Sequence, residues 1–289
     1  HSRVLPILRK SGDQATDAHR VRRGKGGSHL CGVGEARAVG VSRGVGMAAE
    51  VPTIGSVGDP RLEWHNGPPH KASFNAANDF LEVEPTASRD FWGRTFYTPV
   101  LVKTDGQALL SPPIHAEATL ELTVALTPRN QFDQAGAMVW VDDNTWVKAG
   151  IEWTDGSPRL SCVVTNDGFS DWSTQPLPGW EPGDPECCLS LRLHKVHPGK
   201  DQGPAVIFET AATAPAAAAE AGAPGAVEAE APFSFARIAS LRSGDKPWRM
   251  GLMTFAPMAA GCVARCSGFR LGPRKAACHD SDASAMVEQ

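Results

Sequence analysis

The chain has 289 residues, with 28 Lys and Arg against 32 Asp and Glu. Residues 1–50 carry nine basic and four acidic side chains, so everything after them is acidic, which argues against a phosphate-backbone partner such as nucleic acid. No run approaches the ~18 apolar residues a membrane helix needs, and no membrane partner is expected.

Residues 1–60 read as a disordered extension. They contain no Phe, Trp or Tyr and are rich in Gly, Arg and Ser, so they cannot bury enough surface to offset their ordering entropy. Residues 1–46 admit two readings, an Arg-rich organelle transit segment or sequence upstream of a start at Met47. Asp13, Asp17, Glu35 and the many Gly suit a transit segment poorly. Seven Cys, with Cys187 and Cys188 adjacent, fit reduced buried thiols better than a disulfide framework; this points to the cytoplasm, with an organelle as the alternative.

Residues 61–273 read as strand after strand. Ala118, Leu120, Leu122, Val124 and Leu126 alternate with polar or small residues, as do Leu189, Leu191 and Leu193, and Met250–Phe255 and Cys262–Leu271 are similar. The expected class is all-β, an antiparallel sandwich of two sheets. Ala211–Ala231, with twelve Ala in 21 residues broken by Pro and Gly, reads as a flexible insertion. Residues 274–289 read as a disordered tail.

Three strands carry the functional information: Gln134–Val141, Thr145–Trp153 after a three-residue loop Asp142–Asn144, and Arg159–Thr165 after a turn around Gly156. This register puts Trp140 opposite Trp146, Met138 opposite Lys148 and Gln134 opposite Glu152, with Asn144 suited to a left-handed loop end. One face then collects Ala135, Ala137, Val139, Val141, Val147, Ala149, Ile151 and Trp153, joined by Leu160, Cys162 and Val164 opposite Trp153, Ile151 and Ala149. The other collects Gln134, Trp140, Trp146, Lys148 and Glu152, with Ser161, Val163 and Thr165 beside them. This second face is expected to lie outside, with Lys148 and Glu152 exposed and roughly 13 Å apart at ~3.3 Å per residue. Asp171 and Trp172 from the following segment complete the candidate ligand-binding set, with the two Trp as stacking platforms.

At these residues a family resemblance emerges. Asp90-Phe91-Trp92, Thr95-Phe96-Tyr97, Phe132-Asp133-Gln134-Ala135-Gly136, Trp146-Val147-Lys148-Ala149-Gly150-Ile151-Glu152, Val163-Val164-Thr165 and Ser170-Asp171-Trp172-Ser173 stand in order, followed by Gly251-Leu252-Met253, Ala256-Pro257 and Phe269. The set resembles an uncharacterised family of concanavalin A-like domains that includes the fungal regulation-of-enolase protein. The resemblance covers about Leu62 to Leu271 and implies a jelly-roll sandwich of the lectin and glucanase type, with no established reaction. The Ala-rich insertion departs from it, where a short hairpin would be expected.

Catalytic patterns are sparse. The Glu-x-Asp-x-x-Glu strand of glucanases with this fold is missing, and Glu82-Val83-Glu84 reads as a solvated strand face. Cys262 and Cys266 share a predicted strand, too far apart for one zinc ion, and His194 and His197 read as surface residues at a strand end. No catalytic residue, metal or cofactor is expected. The expected function is a non-catalytic binding module for a saccharide or similar small polar ligand. The alternatives are an intracellular regulator binding a metabolic enzyme such as enolase and, third, a glycoside hydrolase.

Overall fold

The computed structural model describes residues 50–197, 202–213 and 232–280. Every named element in them is a strand. In the first half these are β1 (Glu63–His65), β2 (Lys71–Asn75), β3 (Phe80–Glu84), β4 (Phe91–Trp92), β5 (Lys103–Thr104), β6 (Ala108–Leu110) and β7 (Ala118–Thr127). Consecutive hairpins follow, as β8 (Gln134–Asp142), β9 (Thr145–Thr154), β10 (Ser157–Asn166) and β11 (Phe169–Pro176). The remainder are β12 (Cys187–Val196), β13 (Ala205–Ala212), β14 (Ser234–Ser240), β15 (Arg249–Phe255) and β16 (Val263–Pro273).

Two seven-stranded antiparallel sheets form a jelly-roll sandwich. One runs β1-β6-β15-β8-β9-β10-β11 and the other β14-β13-β12-β7-β16-β3-β2. Their inner faces meet through the period-2 alternation: Leu120, Leu122, Val124 and Leu126 of β7 are buried with Ala135, Ala137 and Val139 of β8 and Val147, Ala149 and Ile151 of β9. Cys162 and Val164 of β10 join them, while Trp153 at the end of β9 is only half-buried.

The central register holds from Gln134↔Glu152 through Met138↔Lys148 to Trp140↔Trp146. The loop differs from expectation. A bulge at Val141 lets Asp142 pair with Thr145, so only Asp143 and Asn144 lie outside the strands, and Asn144 does not take a positive φ. The bulge absorbs the odd residue that a three-residue loop was expected to hold. On the next pair the faces are right but the register is two residues off, since Leu160 pairs with Ile151 and Cys162 with Ala149. The cause is a two-residue turn, Asp155-Gly156 with φ of 54° and 80°, which starts β10 at Ser157.

Other boundaries also move. Glu50–Pro60 is not an extension free of structure: Val51, Ile54 and Val57 are buried, and Ile54 bridges Leu271. Ala211 pairs with Ser190 and Ala212 with Leu189, so β13 runs into the start of the Ala-rich segment. The rest of that segment, residues 214–231, lies outside the described residues, as do residues 1–49 and 281–289. The tail is docked as far as Cys278, through the Lys275 amide to Thr119 Oγ1 at 2.8 Å, Lys275 to Glu121 and the Cys278 amide to Glu209, while Arg274 pairs with Asp280 within it at 2.7 Å. His194 is a core residue rather than a surface one, fully buried between Thr119 Oγ1 at 2.9 Å and Glu209 Oε2 at 3.2 Å.

Candidate functional site

The face carrying Lys148 and Glu152 is not open to solvent. Residues 88–105 return across it, pairing β4 with β5, and bury a second apolar cluster. Phe91 and Trp92 drive this, because two large rings side by side have no inner face of the sandwich to enter. Phe91 packs edge-on against Trp146 at 5.5 Å and against Phe255 at 5.7 Å, with Met138, Val163 and Met253 in the same cluster. The backbone is pinned as well: the Gly93 amide donates to Ser170 Oγ at 2.8 Å and the Ser170 amide donates back to Gly93 at 3.1 Å. A side chain at Gly93 would meet the Gly168 carbonyl at 2.4 Å, so the close approach requires glycine.

Between this cover and the sheet lies a cavity of about 420 Å³, within the range typical of small-ligand sites. Lys148, Glu152 and Val163 line it from the sheet, Trp92, Tyr97 and Asp90 from the cover, and Trp172 and Phe132 from neighbouring segments. Tyr97 reaches inward through tight backbone turns. Its amide donates to Thr95 at 2.9 Å across Phe96, whose φ is 70°, while the Phe96 ring is 88% exposed. Such a three-residue turn with positive φ is strained for a non-glycine residue and persists only where surroundings fix it.

The polar groups are ordered. Lys148 Nζ lies 2.6 Å from Asp90 Oδ1 and 5.5 Å from the Phe255 ring centre. Gln134 Nε2 donates to the Phe132 carbonyl at 3.1 Å and approaches Asp90 Oδ1 at 3.4 Å. Ser161 Oγ donates to Glu152 Oε2 at 2.5 Å and accepts from Trp172 Nε1 at 2.9 Å. Burial pushes the Glu152 carboxyl above the usual range, against the opposing pull of the Lys148 charge and the Ser161 hydrogen bond. Burial likewise raises the Tyr97 phenol, helped by the charges of Glu152, Asp90 and Asp155.

Of the eight residues the sequence singled out, Lys148, Glu152 and Trp172 line the cavity. Gln134 backs Asp90. Trp146 and Thr165 are buried beneath the cover; Thr165 hydrogen-bonds Ser170, which holds Gly93, so neither is a surface contact. Trp140 packs against His65 at 4.6 Å outside the cavity lining, so the expected pair of open stacking platforms does not exist. Asp171 is exposed on a different groove, 3.4 Å from Arg237. Sequence reasoning missed Asp90, Trp92, Tyr97 and Phe132 as site residues, although all four stand in the blocks that carry the family resemblance.

The chain belongs to the family described as "Protein of unknown function (DUF1349)", whose profile matches residues 64–274. It is 40% identical over 111 residues to Regulation of enolase protein 1 of Saccharomyces cerevisiae, covering 38% of this chain and 52% of that protein. It is 29% identical over 105 residues to an uncharacterized protein of Emericella nidulans, covering 33% of this chain and 48% of that one. The chain thus spans about half the length of the curated relatives it matches. A crystal structure of a functionally unknown protein from Saccharomyces cerevisiae superposes with a TM-score of 0.58 and 25% identity, over 76% of this chain and all of that one. An engineered GH43 glycoside hydrolase superposes with a TM-score of 0.50 and 12% identity, over 81% of this chain and 42% of that one, a likeness of fold alone.

Proposed function

We propose that the domain is a non-catalytic binding module that takes a small ligand with a polar or charged group into the cavity beneath residues 88–105. The observation that carries this is the burial of Lys148 and Glu152, with Asp90 half-buried on Lys148, at a cavity walled by aromatic rings. Burying a charge pair and a desolvated carboxylate costs stability that an apolar face would not, and such groups concentrate at functional sites. The test is a titration of the full chain with a panel of saccharides, polyols and charged small molecules, read by Trp fluorescence. At least one class is expected to saturate, and Trp172→Ala is expected to weaken it at least ten-fold. Unchanged binding in Trp172→Ala would remove the cavity as the site.

A protein partner is the second reading. Leu101 and Met258 stand on the mouth of the cavity, and Phe96, Val100 and Val102 of the same cover segment are exposed. The similarity to Regulation of enolase protein 1 supports enolase as the first partner to try. Pull-down of purified enolase by the native chain, lost on replacing Phe96 and Val100 by Ser, checks it.

A further inference from the structure

The four rings that line the cavity meet nearly at right angles. Tyr97 meets Trp92 at 68° with centres 5.4 Å apart, Trp92 meets Trp172 at 90° and 6.3 Å, and Trp172 meets Phe132 at 72° and 6.4 Å. Rings set this way around one volume enclose it on several sides. A sugar ring calls for a broad open platform, whereas a rounded cation gains from π surfaces on several sides at once.

The charges point the same way. Lys148 is neutralised by Asp90 at 2.6 Å, and Lys103 at the rim by Asp105 at 3.0 Å. Glu152 lines the same cavity and has no ion pair among the described residues. Glu152 is therefore the acid of the cavity with no cation in direct contact, its carboxyl held toward the protonated form by burial against the pull of the nearby Lys148 charge.

We propose, on the reading of the cavity as a ligand site, that its ligand is an alkylated ammonium group, enclosed by Trp92, Tyr97, Phe132 and Trp172 and neutralised by Glu152. This group can come as a free small molecule of the choline kind or as an N-methylated lysine side chain of a protein. Ligand binding is linked to Glu152 ionisation. The groups facing Glu152 are Lys148 on β9, its cross-strand partners Gln134 on β8 and Arg159 on β10, Ser161 on β10, Trp172 on β11, and Asp90 and Tyr97 of the cover. Because burial holds the free carboxyl toward its protonated form, affinity for a cation rises with pH as Glu152 ionises.

The experiment titrates the full chain with choline chloride, its neutral carbon isostere 3,3-dimethyl-1-butanol, sodium acetate and methyl glucoside, by calorimetry and Trp fluorescence. A peptide carrying trimethyllysine and the same peptide unmethylated form a further pair. Choline is expected to bind at least ten-fold more tightly than the isostere, and more tightly at pH 8 than at pH 5. Glu152→Gln is expected to weaken choline at least ten-fold and to remove the pH dependence. Should that variant fail to fold, Trp172→Leu keeps apolar bulk without the π surface and is expected to weaken choline at least five-fold while leaving the isostere unchanged. A trimethyllysine peptide that outbinds choline and depends on its methyl groups identifies a protein source, and equal or weaker peptide binding identifies the free molecule. An isostere that binds as well as choline, or Glu152→Gln with unchanged affinity, overturns the cation assignment. Saturable glucoside or acetate binding that needs Trp172, without choline binding, overturns it too but leaves the ligand pocket standing. If no probe binds, both fall.

Discussion

Lys148→Met removes the ammonium from the floor of the cavity while keeping most of the buried stem, so its effect isolates the charge. In the native chain Lys148 is 3% exposed and Asp90 15%, with 2.6 Å between them. Once the ammonium is gone, the Asp90 carboxylate keeps, among the described residues, only Gln134 Nε2, at 3.4 Å, as a side-chain donor. Removing one partner of a buried pair costs about 3–5 kcal/mol. The small exposure of Asp90 lets water reach it in part, which places the expected loss near the lower end, about 3 kcal/mol. Adding Asp90→Asn neutralises the stranded carboxylate and is expected to recover about half of that or more, giving a coupling energy of roughly 1.5 kcal/mol or above. Urea unfolding followed by Trp fluorescence measures all four corners of the cycle, with unchanged m-values as the check on two-state behaviour. A loss below about 1 kcal/mol, the size ordinary for an exposed lysine, or strictly additive single changes, would refute the buried pair.

Three further outcomes are expected. Gly136→Ala would place a Cβ 2.1 Å from the Ala149 carbonyl, so β8 and β9 must separate and the loss is expected near 3 kcal/mol, against under about 0.5 kcal/mol for Gly55→Ala, which meets nothing; urea unfolding reads both. Glu152 holds its proton longer when folded than when unfolded, so its contribution to stability declines as pH rises from the unfolded value, about 4, through the raised folded one. Glu152→Gln should therefore gain on the native chain between pH 4 and pH 8, and a difference independent of pH in thermal or urea unfolding would contradict this. Cys162 is buried with its thiol pushed up to about 11, whereas Cys278 is exposed although desolvation and Glu209 raise its thiol too, so a thiol reagent should mark Cys278 in the native chain and Cys162 only on unfolding, as peptide mass mapping would show.

The sandwich was legible because its determinant is local. Ala135, Ala137, Val139 and Val147, Ala149, Ile151 repeat every second residue, and any register that scatters them fails, so the inner face follows from the alternation alone. The exact turns were less legible. The bulge at Val141 shifts one residue without disturbing either face, and the Asp155-Gly156 turn was a two-residue hairpin signal passed over in favour of a later strand start. The pocket was hidden for a different reason. Gln134, Lys148 and Glu152 on that face suit solvent, and Trp140 and Trp146 beside them suit an open binding surface, so side-chain type alone does not reveal that a segment some 50 residues earlier lies over them. Two signals pointed that way. Gly136 and Gly150 stand opposite each other on that face, and Asp90-Phe91-Trp92 places a carboxylate beside two large rings that the inner core does not claim.

The division of labour between sheet and cover has a consequence for access. Lys148 and Glu152 stand on a central strand whose register is fixed on both sides, so the floor is rigid. Asp90, Trp92 and Tyr97 stand on the cover, and lifting the whole cover would break the Lys148–Asp90 pair, pull Phe91 from its fully buried place and release Gly93 from Ser170. Between Arg94 and Val102 the described contacts are fewer: the Trp92 indole donates to the Thr95 carbonyl at 3.1 Å, Tyr97 turns inward and Leu101 lines the cavity, while Phe96, Val100 and Val102 are exposed. If the proposed ligand enters there, displacement of that loop alone would leave the ion pair and the buried ring in place. Under the proposed function, substitutions at Phe96 or Leu101 are expected to change how fast a ligand enters and leaves, and substitutions at Asp90, Trp92 or Glu152 whether the pocket holds it, which stopped-flow Trp fluorescence against equilibrium titration separates.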